Sequence, residues 1–260
     1  MSEDEKPVVR YEKEGHIVIL TIDRPEARNA VSPAVAQQME AALDTFEADG
    51  DAWVGIIMGE GPAFCAGADL KEVAKGNGAA LSTRKGGFGG IVVRERTKPL
   101  IAAVTGHALA GGCEILLACD MAIVAEGIKI GVPEVKRSLV AAAGALWRLP
   151  RVLGKARAAE LALTGDPMTP EEALALGMVN KVVPADQVMA EALALAARIE
   201  ANAPLAVQAS LRVLNQAFDL TEAELYQESG RAFLSLLDTE DFAEGPRAFI
   251  EKRPPTWTGR

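Results

Sequence analysis

Gly106-His107-Ala108-Leu109-Ala110-Gly111-Gly112-Cys113-Glu114-Ile115-Leu116-Leu117-Ala118-Cys119-Asp120 is the stretch on which the reading of this chain turns. It follows a short apolar run, residues 100–104, that has the length and composition of a buried strand, and its paired glycines stand where an apolar helix over 113–118 begins. A strand, a glycine turn and a helix start make a place for negative charge. The first amides of a helix have no partner inside it, and glycine lets a ligand approach them closely. Glu114 then puts a carboxylate into an otherwise apolar segment. A plain glycine turn with a helix-capping glutamate has the same local sequence, so the two readings are separated only by what the rest of the chain supplies.

A second stretch echoes the first. Gly59-Glu60-Gly61-Pro62-Ala63-Phe64-Cys65-Ala66-Gly67-Ala68-Asp69-Leu70-Lys71 follows a strand expected over 53–58 and ends in another helix start. Two such elbows can aim two sets of free N–H groups at one ligand atom, which is how an oxyanion hole is built. Each alone also fits an ordinary strand-to-helix turn. Between them, residues 75–90 are rich in Gly, Ser, Thr and Lys without clear periodicity and are expected to form a mobile surface loop. The run Gly86-Gly87-Phe88-Gly89-Gly90 neither follows an expected strand nor continues into Gly-Lys-Ser/Thr, which argues against a nucleotide-binding loop.

Outward from this centre, residues 8–11 and 16–22 read as a hairpin around Glu14-Gly15. Ser32-Pro33 opens a helix to about residue 49, with Val35, Met39, Ala42, Leu43 and Phe46 on its buried face. Beyond the opening stretch, residues 121–125 and 129–130 read as short strands, and Gly131-Val132-Pro133-Glu134 brings a second carboxylate. The small apolar run 140–144 leads into a short helix at 146–149; 155–163 is helical, Thr169-Pro170-Glu171-Glu172 starts a helix ending at Gly177, and 179–183 is a last strand. From residue 186 the pattern is helical, over 188–201, 205–218, 221–237 and 240–252. The chain therefore divides into an α/β core, 1–185, and a helical C-terminal region, 186–260.

Composition narrows the function classes. The 260 residues are 49% hydrophobic, enough for a large core, and the net charge of −9 lacks the basic footprint of a nucleic-acid partner. Cys65, Cys113 and Cys119 lie in apolar or glycine-rich context with no CxxC spacing, so neither a disulfide framework nor a metal site is expected, and the setting reads as reducing and cytoplasmic. With only His16 and His107 there is no suggestion of a Ser-His-Asp arrangement, and His107 reads as a packed elbow residue rather than an acid or base. Met1-Ser2-Glu3-Asp4-Glu5-Lys6 is unlike a targeting peptide, and no apolar run approaches the roughly 20 residues of a membrane span.

Asp23-Arg24-Pro25 with Asn29-Ala30, then residues 64–71, then Lys98-Pro99 running through 114, then Pro133-Glu134, Leu163-Thr164-Gly165, Gly177-Met178-Val179-Asn180 and finally residues 244–253 stand in one order along the chain. In that order the sequence resembles the crotonase, or enoyl-CoA hydratase/isomerase, superfamily over nearly its whole length. The resemblance implies a crotonase-like fold of repeated ββα units with a helical C-terminal trimerisation region, assembling as a homotrimer or a hexamer. It implies an acyl-CoA substrate, with no metal and no cofactor beyond the coenzyme A of the substrate itself. The thioester oxygen would be held by the amides of Ala68 and Gly111, and water and proton handled by Glu114 and Glu134. Arg28, Ala30, Ala66, Ala68, Asp69, Leu70, Lys71 and Gly111 would line the CoA groove. Phe233 and Lys252 match positions that bind the nucleotide end of CoA, often from a neighbouring subunit.

The physical chemistry runs beside this. Attack of water at Cβ of an enoyl thioester builds charge on the thioester oxygen, and removing one preorganised donor to such charge typically costs roughly 3 to 4 kcal/mol. Two carboxylates then divide the proton work, and their titration belongs to the pair. Retention of both Glu114 and Glu134 favours a hydratase. The competing readings are an isomerase, a carnitinyl-type dehydratase, a hydrolase or a decarboxylase on the same fold, and an acyl-CoA binding protein without turnover. One departure stands out: Val135-Lys136-Arg137-Ser138-Leu139-Val140-Ala141-Ala142-Ala143-Gly144-Ala145 replaces the glycine-rich run common among hydratases, and its alanines narrow the space beside the acyl group.

Overall fold

The computed structural model describes residues 7–260. Strands β1 (Val9–Glu14) and β2 (Ile17–Ile22) form the expected hairpin around Gly15, whose φ is +58°. Helix α1 (Pro33–Ala48) starts where the Ser32 side chain accepts from the Val35 amide, and it buries Val35, Ala36, Met39, Leu43 and Phe46. At its other end the buried Lys98 ammonium donates to the carbonyls of Phe46 and Asp49, both at 2.6 Å, satisfying groups that the helix itself cannot.

From there one pattern is repeated. β3 (Val54–Gly59) and β4 (Ala63–Cys65) lead to α2 (Leu70–Ala74); after β5 (Ser82–Thr83) and β6 (Gly87–Phe88), β7 (Leu100–Val104) and β8 (His107–Leu109) lead to α3 (Gly111–Ala118). β9 (Met121–Ala125) and β10 (Ile130–Gly131) lead to a 3-10 turn, Pro133–Arg137, and then α4 (Ala145–Leu153). The first strand of each unit enters a six-stranded sheet of order β1-β2-β3-β7-β9-β11, where β11 is Lys181–Val183 and only β1 runs antiparallel. The second strand of each unit enters a small parallel sheet of order β10-β8-β4. All three chain crossings therefore end at one level, with their strand-to-helix turns side by side. This is the ββα repeat that the family resemblance implies.

The central strands β3, β7 and β9 are buried on both faces and are near-continuous apolar runs, as parallel strands require. Helices α5 (Lys155–Thr164) and α6 (Pro170–Ala175) precede β11. α7 (Val188–Glu200) packs on β3, β7 and β9 through Val188, Ala192 and Ala196, so the first helix of the C-terminal region belongs to the core packing. α8 (Pro204–Asn215), α9 (Glu222–Leu234) and α10 (Glu240–Glu251) bury little and leave Leu214, Tyr226, Phe233, Phe249 and Ile250 exposed, as is Phe218 between α8 and α9. Among the described residues no helix is long and apolar enough to cross a membrane.

Two local expectations are corrected. Residues 75–90 are not an irregular loop: a 3-10 turn, Gly78–Leu81, buries Leu81, and β5 and β6 pair as a hairpin pinned by the Glu40 carboxylate, which accepts from the Thr83 hydroxyl and, at 2.8 Å, from the Gly86 amide. The partner that orders this glycine-rich piece lies on α1, more than forty residues away. Helix α3 begins at Gly111, two residues before the apolar run that announced it.

Candidate active site

The small sheet brings the two elbows together, since β4 pairs in parallel with β8 (Ala63 with His107, Cys65 with Ala108). Their turns touch. A Cβ added to Gly67, whose φ is +91°, would lie 2.8 Å from the Ala110 Cβ and 2.9 Å from the Gly111 nitrogen, so only glycine permits this approach. Ala110 itself adopts φ +52° and ψ −130°, strained for a residue with a side chain, and this turns the start of α3 toward the first elbow. Among the described residues the amides of Ala68 and Gly111 donate to no protein acceptor. The two elbows are finished differently. Asp69 caps α2 with its own side chain, accepting from the Lys71 amide at 3.1 Å, whereas α3 has no side-chain cap. The Phe88 ring covers Gly111, 2.3 Å from where a Cβ would stand.

Glu114 lies in the first turn of α3 and is 3% exposed. Its Oε1 accepts from the amides of Ala143 (2.7 Å) and Ala145 (3.1 Å), so the segment leading into α4 clamps one oxygen and leaves the other without a hydrogen bond to the protein. Burial pushes the Glu114 carboxyl up to about 7; the charge of Glu134 adds to the rise, while the two amides and Arg148 oppose it. Glu134 sits on the 3-10 turn after β10, and the Ala110 amide donates to the Gly131 carbonyl at 2.9 Å, which ties that turn to the second elbow. Burial raises the Glu134 carboxyl as well, and its Oε2 is buried without a hydrogen-bond partner. The alanine-rich segment 140–145 thus has a role the sequence did not signal: two of its backbone amides hold Glu114.

Around the first elbow, residues 28–31 are zipped to 66–69 by three backbone hydrogen bonds, Ala66 to the Arg28 carbonyl, Val31 to Gly67 and Asp69 to Val31. This places Arg28, Ala66, Leu70 and Lys71 on one exposed surface, with Ala30 and Asp69 buried beneath it. Burial would raise the Asp69 carboxyl, but Arg24, at 3.2 Å, and the Lys71 amide hold it below the usual range. Asn29 orders this surface from below: fully buried, it donates to the carbonyls of Glu60 (2.8 Å) and Ala63 (2.7 Å) and accepts from the Arg24 amide. Asn29 drew notice in the sequence only as part of a motif, and its readiness to take positive φ, here +54°, was the available signal. Phe88 and the amides of Ala143 and Ala145 carried no such signal. Phe233 and Lys252 stand apart, on α9, where Phe233 packs edge-on against Phe242, and at the end of α10.

Burial drives the thiols of Cys65, Cys113 and Cys119 upward, Cys65 and Cys119 to about 12, so none is a ready nucleophile. His107 is exposed rather than packed, and its Nδ1 accepts from the Lys129 amide at 3.0 Å. Among the described residues no group of His, Cys, Asp and Glu forms a metal-ligand set. What converges is two free amides at the junction of two elbows, a buried carboxyl and a half-buried one whose charge the first feels: an arrangement that can stabilise an oxyanion and move a proton beside it.

Known proteins share this architecture. The enoyl-CoA hydratase/isomerase family profile matches residues 12–260. The chain is 40% identical over 260 residues to the enoyl-CoA hydratase EchA19 of Mycobacterium tuberculosis, covering 98% of this chain and 97% of that one. It is 39% identical over 246 residues to the mevalonyl-coenzyme A hydratase of Aspergillus fumigatus, covering 93% and 91% respectively. The crystal structure of an enoyl-CoA hydratase from Mycobacterium tuberculosis superposes with a TM-score of 0.94 at 42% identity, over 98% of this chain and all of the other. The chain belongs to the enoyl-CoA hydratase/isomerase family.

Proposed function

We propose that the chain is an enoyl-CoA hydratase, adding water across the α,β double bond of an enoyl-CoA thioester. The observation that carries this reading is the pair of raised carboxyls, Glu114 buried and Glu134 half-buried, beside two amides with no protein acceptor. The amides of Ala68 and Gly111 take the charge that grows on the thioester oxygen as water attacks Cβ. Burial raises both carboxyls above the usual carboxylate range, Glu114 to about 7, which brings them toward the range in which a carboxyl can both accept and donate a proton. Glu114, with Oε1 fixed by two amides, orients the water and accepts its proton; Glu134, with an unpaired Oε2, delivers one to Cα. The surface of Arg28, Ala66, Leu70 and Lys71, supported from beneath by Ala30 and Asp69, carries the CoA moiety. Such an addition calls for no metal or redox cofactor.

The exposed apolar side chains of α8–α10 support self-association into a trimer or a hexamer, through which Phe233 and Lys252 of one subunit reach the nucleotide end of CoA in another. Three free, protonated thiols fit a reducing cytoplasm. The reaction is tested by incubating the protein with crotonyl-CoA and longer enoyl-CoAs. Loss of the enoyl absorbance with a product heavier by one water supports it; absence of turnover, with Glu114→Gln and Glu134→Gln indistinguishable from wild type, overturns it. Sedimentation of the free protein tests the assembly, and a monomer overturns that part.

A further inference from the structure

Arg148, on α4, is half-buried, and its guanidinium serves two places at once. Nη2 donates to the Val92 carbonyl at 2.5 Å, whereas Nη1 is buried with no hydrogen-bond partner. Nη1 stands 2.0 Å from where a Cβ on Gly144 would be, so the guanidinium folds back over that residue. Gly144 separates Ala143 from Ala145, the two amide donors to Glu114, and its φ of +132° is one that side chains avoid. Val92 follows Phe88, whose ring covers Gly111. One side chain therefore spans from the clamp on the carboxylate to the segment lying over the second elbow.

The charges around Glu114 are Glu134 from the 3-10 turn and Arg148 from α4; Cys113, its neighbour on α3, is kept neutral by burial. Arg148 in turn faces Arg96, Glu114, the Cys119 thiol and Arg151. Arg96 is paired with Asp120 and Arg151 with Asp219, which leaves Glu114 as the anion that Arg148 senses.

We infer that Arg148 is a positioning residue for the hydration proposed above: it holds the Ala143–Gly144–Ala145 clamp in place and supplies the positive charge that keeps Glu114 available as a proton acceptor. This rests on the hydratase reading for its effect on rate, but its effect on Glu114 stands without substrate.

Arg148→Met and Arg148→Lys in the full chain test it with two readouts. The first is the protonation midpoint of Glu114 in the free protein, taken from the carboxyl infrared band that disappears in Glu114→Gln. It should rise by about one pH unit in Arg148→Met and return to the wild-type position in Arg148→Lys. The second is crotonyl-CoA kinetics, where Arg148→Met should lower kcat by about 100-fold with little change in KM, and Arg148→Lys should recover only part of it because an ammonium cannot both bond Val92 and cover Gly144. A wild-type midpoint in Arg148→Met overturns the inference. If that variant fails to fold, Arg148→Lys decides: unaltered kcat overturns the inference, whereas a lowered kcat at an unchanged midpoint supports it. If wild-type protein does not hydrate crotonyl-CoA, the reaction is wrong, and the infrared midpoints still judge Arg148.

Discussion

Glu114 is almost fully buried in the first turn of an α-helix with one oxygen fixed by two backbone amides, while Glu134 is half-buried on a 3-10 turn with one buried oxygen that has no partner. The same carboxylate has thus been placed in a rigid and in an open setting. A group that orients a small molecule gains from bonds that never change during the cycle. A group that delivers a proton must be able to exchange one partner for another. The proposed division of work rests on the difference between the two settings more than on the presence of two carboxylates.

The largest effects should come from breaking that division. Glu114→Gln and Glu134→Gln should each lower kcat for hydration by about 10²–10⁴-fold. Only Glu134→Gln should also abolish exchange of the Cα hydrogen of a saturated acyl-CoA with heavy water, read by mass spectrometry, because that step needs the Cα acid and the oxyanion donors alone. Loss of exchange in Glu114→Gln instead would reverse the assignment. Next comes the part that both carboxylates share. Ala68→Pro deletes one free amide and should cost about 10²–10³-fold in kcat, with hydration and exchange falling together; a change in their ratio would mean that Ala68 is not a donor to the common enolate.

A smaller effect follows from the cost of burying Glu114. Its carboxyl is raised from 4.5 to about 7, so the folded chain binds a proton more tightly than the unfolded one. The stability this contributes is fully present below pH about 4.5 and is lost as pH rises through about 7, at most about 3 kcal/mol. Glu134, also raised, acts in the same direction. Urea titrations should therefore show wild type losing stability between pH 5 and 8 relative to Glu114→Gln, and parallel curves would contradict the burial of the charge. The smallest expected change is at Ala110, where glycine relieves the strained backbone: Ala110→Gly should gain about 1 kcal/mol in the same titration.

Much of this could be read from the chain because the signals were local. The apolar run of β7 matched its strand residue for residue, Ser32-Pro33 marked the start of α1, and the two elbows were visible as small-residue breaks between a strand and a helix. Gly111 was missed as the first residue of α3 because glycine adds nothing to an apolar periodicity and disfavours helix on its own. The hairpin of β5 and β6 depends on Glu40, and the clamp on Glu114 on amides 29 and 31 residues away; a backbone donor has no side chain by which to announce itself. Arg148 looked like one basic residue on a helix until its place over Gly144 was known.

Arg96 and Asp120 form a two-pronged ion pair, at 2.8 and 3.1 Å, and Asp120 also accepts from the Leu100 amide at 2.7 Å, just where β7 begins. The pair closes the chain on itself around β7, β8 and α3, and Arg96 further bonds the Ala118 carbonyl at the end of that helix. A loop stapled at its base opens as one piece or not at all. In amide hydrogen exchange, β7 and α3 should therefore lose protection together and last, whereas the short α2, with Leu70 exposed, should open first. If α2 opens first, entry and exit of a ligand fall to the α2 side, and the carboxylate on α3 meets each new ligand as a fixed wall.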